Sequence, residues 1–342
     1  MTNKKKALLL RITDKLKVYF QMKSSPEKFY HSIRNKSLTD QEYQLDRLAK
    51  YLLKAQNQKY YQNLLSILVP SLDLKIDESQ FVGSGIGASS LNSFRKVKSG
   101  KELYFEKVYF NSSVDLKRIF WFQDHVSVLL NDKVKSPRIL KTFKGELVTI
   151  VYFEYLELQV LSSDKKEMAL IELSKALYSS TFLNGDQFEK SNVPDFISKY
   201  RSHFQYVRNI DKVKQALNLS KSDINEIESR IDATKRTLTH GDIQETNAFE
   251  NSVLIDWDSF GIYPIGLEIA FLFFRLLVDG KKDDDFIGWL EKNYSSVVDK
   301  NDWEDFKMNS LYFLYVFSVG LLNKGLHPDL KKELEVNIKK II

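Results

Sequence analysis

Thr239-His240-Gly241-Asp242-Ile243-Gln244-Glu245-Thr246-Asn247, followed by Leu254-Ile255-Asp256-Trp257-Asp258, is the stretch that decides how this 342-residue chain is read. It spaces three side chains that handle protons or metals. Asp242 is a loop carboxylate, and Asn247 offers an amide oxygen five positions later. Asp256 follows the run Ser252-Val253-Leu254-Ile255, which predicts a short strand that holds the carboxylate rigidly. Ala248-Phe249, Glu250-Asn251 and Ser252-Val253 predict a tight hairpin that brings Asn247 near Asp256. Transfer of a γ-phosphoryl group asks a protein mainly for positioning and charge neutralisation: a carboxylate beside the acceptor hydroxyl and oxygen ligands for Mg²⁺. A lone His-Gly-Asp is common, and Asp and Asn recur in ordinary turns, so the combination carries the reading. His240 is read as holding the loop by hydrogen bonds, and Gly241 as supplying a backbone geometry that a Cβ disfavours.

On these residues the chain resembles the aminoglycoside phosphotransferase and choline kinase superfamily, whose loop reads His-Gly-Asp, four variable residues, then Asn. Its metal strand reads Ile-Asp-Trp or Phe with an acidic residue next. The resemblance implies that Asp242 is the catalytic base and that Asn247 and Asp256 bind magnesium. Trp257-Asp258, Gly261, Pro264 and Glu268-Ile269-Ala270 also look like the family's continuation. Two features depart from it: Glu268 stands where the family has Asp, and only nine positions separate Asn247 from Asp256.

A nucleotide-binding half is then expected upstream. Phe81-Val82-Gly83-Ser84-Gly85-Ile86-Gly87-Ala88-Ser89-Ser90 places glycines on alternate positions, so Gly83, Ser84, Gly85 and Gly87 are candidates to cover phosphates with backbone N–H groups. A plain hairpin turn is the alternative. Leu91 to Val97 and Leu103 to Phe110 predict the flanking strands. Lys107 lies within the second of them, among aromatic residues, where an ammonium needs a compensating anion such as a nucleotide phosphate. The alternative is an outward-facing lysine on an exposed strand face. The predicted helix from Val114 to Leu130, with Ile119, Val126, Leu129 and Leu130 as its apolar face, has no Glu to pair with Lys107. Gln123 or Asp124 are left as partners, with Asp124 equally readable as a solvated residue. Glu146 to Leu156 predicts a strand, and the resemblance implies that backbone groups around Phe153, Glu154 and Tyr155 bind adenine.

Residues 1–80 hold 15 Lys and Arg against 8 Asp and Glu, a local +7 in a chain of net +6. They predict helices: an amphipathic segment with Leu9, Ile12, Leu16 and Phe20, then Thr39-Asp40-Gln41-Glu42 as a capping box before Leu45, Leu48, Leu52 and Ala55. A basic helical extension suits contact with an anionic surface, or a solvated face packed on its own domain. Lys4 to Leu10 has the start of a signal-peptide pattern, cut short by Arg11 and Asp14. With no cysteine, thiolate chemistry and cysteine zinc sites are excluded, and no apolar run is long enough to predict a membrane span. His31, His125, His203 and His327 lack ligand spacing and are read as surface or packing residues. Further helices are predicted over Lys165 to Leu177, Pro194 to Tyr206, Ser222 to Thr234, Leu267 to Val278, Asp283 to Tyr294 and Trp303 to Asn323.

The expectation is therefore an α+β, bilobal protein-kinase-like fold: a basic helical extension (1–76), a small antiparallel nucleotide lobe with its hinge (77–156) and a mainly helical lobe with the catalytic loop (157–342). The expected activity is ATP- and Mg²⁺-dependent transfer to a hydroxyl of a small molecule, sugar or glycan, in the cytoplasm and without nucleic acid. A neutral or anionic acceptor is favoured over a polycation by the net charge. A protein kinase and a nucleotide-binding pseudokinase stay open as alternatives.

Overall fold

Alternating, β-branched and aromatic residues form five strands, β1 Glu78–Gly83, β2 Ser90–Ser99, β3 Glu102–Phe110, β4 Ile139–Lys144 and β5 Val148–Glu154. They make one antiparallel sheet in the order β1-β2-β3-β5-β4. The computed structural model describes residues 26–54, 58–83, 90–130, 133–179, 193–280 and 285–341. By its internal contacts the chain divides into two units, residues 1–117 with 137–156, and residues 118–136 with 157–342.

In the first unit, helices Pro26–Ile33, Leu38–Lys54 and Gln58–Leu68 of the basic extension share a core with the sheet. Leu45, Leu48, Leu52, Leu64 and Leu65 are buried together with Val97, Tyr104, Val108, Ile150 and Tyr152. The predicted apolar face is thus present, with Ala55 and the segment from Leu9 to Phe20 outside the described residues. The cap differs. The helix starts at Leu38, and the Ser37 hydroxyl, not that of Thr39, accepts from the Asp40 N–H while donating to the Asp40 carboxylate at 2.8 Å. Glu42 is left to accept from Ser112 at 2.6 Å. The β4–β5 turn lies close under the extension: a Cβ at Gly145 would sit 2.0 Å from the Leu68 carbonyl oxygen.

Arg95 on β2 and Glu106 on β3 are cross-strand partners in register, and both side chains are fully buried. Two parallel bonds join them, Nε to Oε1 at 2.7 Å and Nη2 to Oε2 at 2.6 Å. Tyr152 donates to Glu106 at 2.9 Å, Gln62 accepts from Arg95 at 2.9 Å, and the guanidinium lies 4.6 Å from the Tyr61 ring centre. Burial opposes the charge on Arg95, but the Glu106 carboxylate more than offsets it and raises the pKa.

The second unit is mainly helical. The expected helix over Pro194 to Tyr206 is instead a short helix Asp195–Ser198, a 3₁₀ turn Tyr200–Ser202 and a long helix Phe204–Leu217. His203 adopts an extended conformation between the last two, with φ −60° and ψ 131°, so the helix cannot run through it. The helix expected from Asp283 begins at Phe286, because the Asp285 side chain caps it by accepting from the Gly288 N–H at 2.8 Å. The segment expected from Val114 to Leu130 is broken into Val114–His125 and Ser127–Leu130. Ile119, Val126 and Leu130 are buried as expected, but Leu129 is exposed. Lys166–Tyr178, Lys221–Ala233 and Leu267–Val278 match their predictions closely, whereas Pro328–Ile341 is a helix that the sequence reading did not foresee. Trp303–Leu322 is apolar on nearly every face and packs against Phe204–Leu217, Leu267–Val278 and Pro328–Ile341, so it is the central helix of this unit. Among the described residues no helix is long and apolar enough to cross a membrane. The α+β class is as expected, with an antiparallel sheet and a mainly helical remainder.

Candidate active site

The candidate catalytic segment hangs from two small antiparallel pairs in the second unit. β6 Arg236–Thr239 pairs with β9 Gly261–Pro264, with Thr239 opposite Gly261, and β7 Ala248–Phe249 pairs with β8 Val253–Leu254. The expected hairpin is there, but its turn is Glu250–Ser252 rather than the Glu250-Asn251 pair, and strand residues begin at Val253. Asn251 and Ser252 both take left-handed backbone (φ 60° and 57°), which gives the hairpin a three-residue connection. The Ile255 N–H donates to the Asn247 carbonyl at 2.9 Å, so Asp256 follows one residue after a direct tie to Asn247. Asp256 itself takes the left-handed conformation at φ 65°, unusual for a residue with a Cβ.

Between these pairs the loop is held by its own buried groups. His240 is fully buried. Its Nδ1 accepts from the Asp242 N–H at 3.2 Å, which leaves Nε2 to donate to the Ile255 carbonyl at 2.9 Å. Burial pushes its pKa down to about 4, so the ring is the neutral tautomer that this pair of bonds requires. Its ring also meets Trp257, which stacks on Phe122 with centroids 4.3 Å apart. Gly241 has φ 80°, and a Cβ there would lie 2.3 Å from the Ser259 carbonyl oxygen, so only glycine fits. Glu268, in the first turn of Leu267–Val278, accepts from the N–H groups of His240 and Gly241, the latter at 3.1 Å. Burial raises its pKa to about 7. Glu268 thus reaches the loop backbone with a longer side chain than the Asp the resemblance implied.

Asp242 Oδ2 accepts from Gln244 Nε2 at 3.0 Å and from Asn247 Nδ2 at 3.1 Å, and Asn247 Nδ2 also donates to the Asp242 carbonyl at 2.9 Å. The Asn247 amide nitrogen is thus turned to Asp242, which leaves its Oδ1 as an oxygen donor for a cation. Burial raises the Asp242 pKa to about 7, and the Asp256 carboxylate adds to the rise, while Asn247, Arg275 and Gln244 oppose it. The half-buried Asp242 and the exposed Asp256 are like charges, and with an amide oxygen beside them they make a hard, oxygen-only donor set, the chemistry Mg²⁺ takes.

Three residues that hold this site were missed in the sequence. His203, 38 positions before Gly241, donates from Nε2 to its carbonyl at 2.6 Å and is buried. Arg118 is buried and bonds the Phe260 carbonyl, the Tyr263 hydroxyl at 2.7 Å and Ser202 at 2.9 Å, tying the segment after Asp256 in place. Neither carries a local sequence signal, because each acts across a long separation. Gln244 was legible only as part of the loop.

The upstream candidates lie in the first unit. Gly83 ends β1 opposite Phe94, past a register irregularity, and Ser84, Gly85 and Gly87 lie outside the described residues. Lys107 is not the outward-facing lysine of the alternative reading: it is 7% exposed, with Nζ 5.0 Å from the Tyr109 ring centre and 5.4 Å from that of Phe94. Glu106 and Lys107 take opposite faces of β3, as alternation requires. Asp124 is exposed. Phe153 and Glu154 end β5, where the Glu154 N–H is engaged by the Arg138 carbonyl at 2.8 Å, and the Tyr155 ring lies 4.2 Å from Lys96 Nζ.

No family model matches the sequence, and no curated protein matches it. Solved structures similar to it include an ethanolamine kinase from Plasmodium vivax, at 17% identity over 86% of this chain and 93% of that one, with a TM-score of 0.46. A microcompartment-associated aminopropanol kinase is similar at 12% identity over 82% and 95%, TM-score 0.47. An aminoglycoside-3'-phosphotransferase of type VIII is similar at 15% identity over 75% and 98%, TM-score 0.42.

Proposed function

We propose that this chain is an ATP- and Mg²⁺-dependent phosphotransferase that moves the γ-phosphoryl group to a hydroxyl of a small molecule or glycan. The observation that carries this is Asp242: a half-buried carboxylate with one oxygen oriented by Asn247 and Gln244, and with its pKa raised to about 7. A base is most effective when its pKa lies near the working pH, so a raised carboxylate can take a hydroxyl proton and release it again near neutrality. Asp242 accepts the acceptor's proton as the new bond from acceptor oxygen to phosphorus forms and the bond from phosphorus to the ADP oxygen breaks. Asn247 through Oδ1 and Asp256 would hold Mg²⁺, which when bound supplies charge neutralisation for the phosphates. Lys107 and the segment Gly83, Ser84, Gly85 and Gly87 are proposed to bind phosphates, and the backbone around Phe153, Glu154 and Tyr155 to bind adenine. Gly241, His240, His203 and Glu268 serve by holding the loop, so that Asp242 is presented without reorganisation.

The test is Asp242→Ala in a nucleotide-consumption screen over alcohols, sugars and glycans. The expected result is a fall in kcat of at least about a hundredfold with ATP binding retained, the order for a group that acts only in the transition state. Unaltered turnover would remove Asp242 as the base.

A further inference from the structure

The Leu267–Val278 helix touches the catalytic loop at Glu268, whose carboxylate accepts from the His240 and Gly241 backbone. Residues three, four and seven positions along a helix share a stripe, so Phe271, Leu272 and Arg275 continue the face that Glu268 begins. Phe271 keeps that stripe against the site: its ring centre is 5.6 Å from His203, the residue that holds the Gly241 carbonyl, and 5.9 Å from Phe204. Arg275 stands two turns from Glu268, about 10 Å along the axis, and long helical side chains lean toward the helix N-terminus, here toward the loop.

Arg275 is a strong donor group with little to bind. Among the described residues its one ion-pair contact is Asp279 Oδ1 at 4.0 Å, beyond hydrogen-bond range, and its buried Nε has no partner. The side chain is 29% exposed. Its charge is felt at Asp242, where it opposes the rise in pKa that burial causes. Phe204, against Phe271 one turn before it, and Val278, one turn beyond it, present exposed apolar surface. A cationic acceptor would meet repulsion here, whereas a planar guanidinium with unused donors matches the paired oxygens of an anion.

We infer, on the footing of the phosphotransferase reading above, that Arg275 recognises an anionic group on the acceptor, so that the substrate class is a hydroxy compound bearing a carboxylate or a phosphate. Phe204, which lies against Phe271 between Glu268 and Arg275 along the helix, then flanks the carbon skeleton, and Asp242 takes the hydroxyl proton.

The test uses the full chain and acceptors in matched pairs, hydroxy acids with their amides and sugar phosphates with the parent sugars. In the wild type, kcat/KM is expected to favour the charged member by about tenfold or more, the worth of a charge-assisted hydrogen bond. Arg275→Gln is expected to bring that ratio close to one, and Arg275→Lys to retain part of it. Because the ratio is taken within each variant, a loss of folded protein cancels. A wild type that prefers the uncharged or an amine-bearing member, or a ratio unchanged in Arg275→Gln, overturns the assignment. The two kinds of pair tell carboxylate from phosphate. Transfer that depends on Asp242 but ignores acceptor charge sinks this inference alone, whereas a chain that phosphorylates no acceptor sinks the parent reading and this one with it.

Discussion

Glu106 in the first unit is a fully buried carboxylate and Asp242 in the second a half-buried one, and their company differs in kind. Glu106 is met by a bidentate Arg95 and a tyrosine hydroxyl, so its charge is compensated where it stands. Asp242 is met by two amide groups, and the charge that acts on it most strongly is another carboxylate, Asp256. A compensated buried charge holds elements together, here β2, β3, β5 and the helix Gln58–Leu68. A charge partly withdrawn from water and left short of compensation is costly to the fold and available for chemistry with a cation or a proton. The difference separates the structural acid from the candidate catalytic one without reference to either sequence motif.

The contrast breaks most visibly at Glu106. Glu106→Gln leaves Arg95 buried without its carboxylate, and a loss of about 3–5 kcal/mol in chemical denaturation is expected. Replacing Arg95 and Glu106 together by apolar residues of similar volume should cost far less. A cost for Glu106→Gln as small as that of a surface substitution would show that the pair holds nothing.

Asp242→Asn should act in the opposite direction. The folded-state pKa is raised above the unfolded one, so the wild type carries the cost of the charged form above about pH 7 and loses that cost as the pH falls and the carboxyl takes its proton. Measured without divalent metal, the variant is expected to be more stable by on the order of 2 kcal/mol at pH 9, a gain that fades below pH 7. A variant less stable at pH 9 would mean that the Gln244 and Asn247 bonds outweigh the charge.

His203 sharpens the comparison from the side of the scaffold. Its pKa is lowered by burial to about 4, so the unfolded chain takes up a proton below about pH 6.5 that the folded chain refuses. Its contribution to stability is full above pH 6.5 and is lost as the pH falls toward 4, up to roughly 3 kcal/mol over that window. His240 adds a loss of the same sign, and Asp242 and Glu268, with raised pKa values, add gains of the opposite sign. The informative quantity is therefore the difference between wild type and His203→Gln, which should shift in favour of the variant on acidification. A flat difference from pH 7 to 4 would show that His203 is not held neutral.

Much of the site was legible because it is local. Asp242, Asn247 and Asp256 lie within fifteen positions, and the amide of Asn247 does turn to Asp242 as a short loop allows. The strands of the sheet and the long amphipathic helices announced themselves by period. The misreadings fell where tertiary contacts override local preference: the extended His203 that interrupts a helix to reach Gly241, the exposed Leu129, and a hairpin turn one residue longer than its sequence suggested.

The sequence by itself determined which residues are candidates for the chemistry and which segments become strands or helices, because spacing and hydrophobic period act over a few residues. Only the tertiary structure decided their electrostatic state. Whether a carboxylate meets an arginine or another acid depends on which distant strand or loop faces it, as Arg95 faces Glu106 across β2 and β3, and no period in the chain encodes that. The same holds for Arg275, an ordinary helix residue in sequence, which becomes a candidate for selecting the acceptor because Glu268 docks its helix onto the candidate catalytic loop.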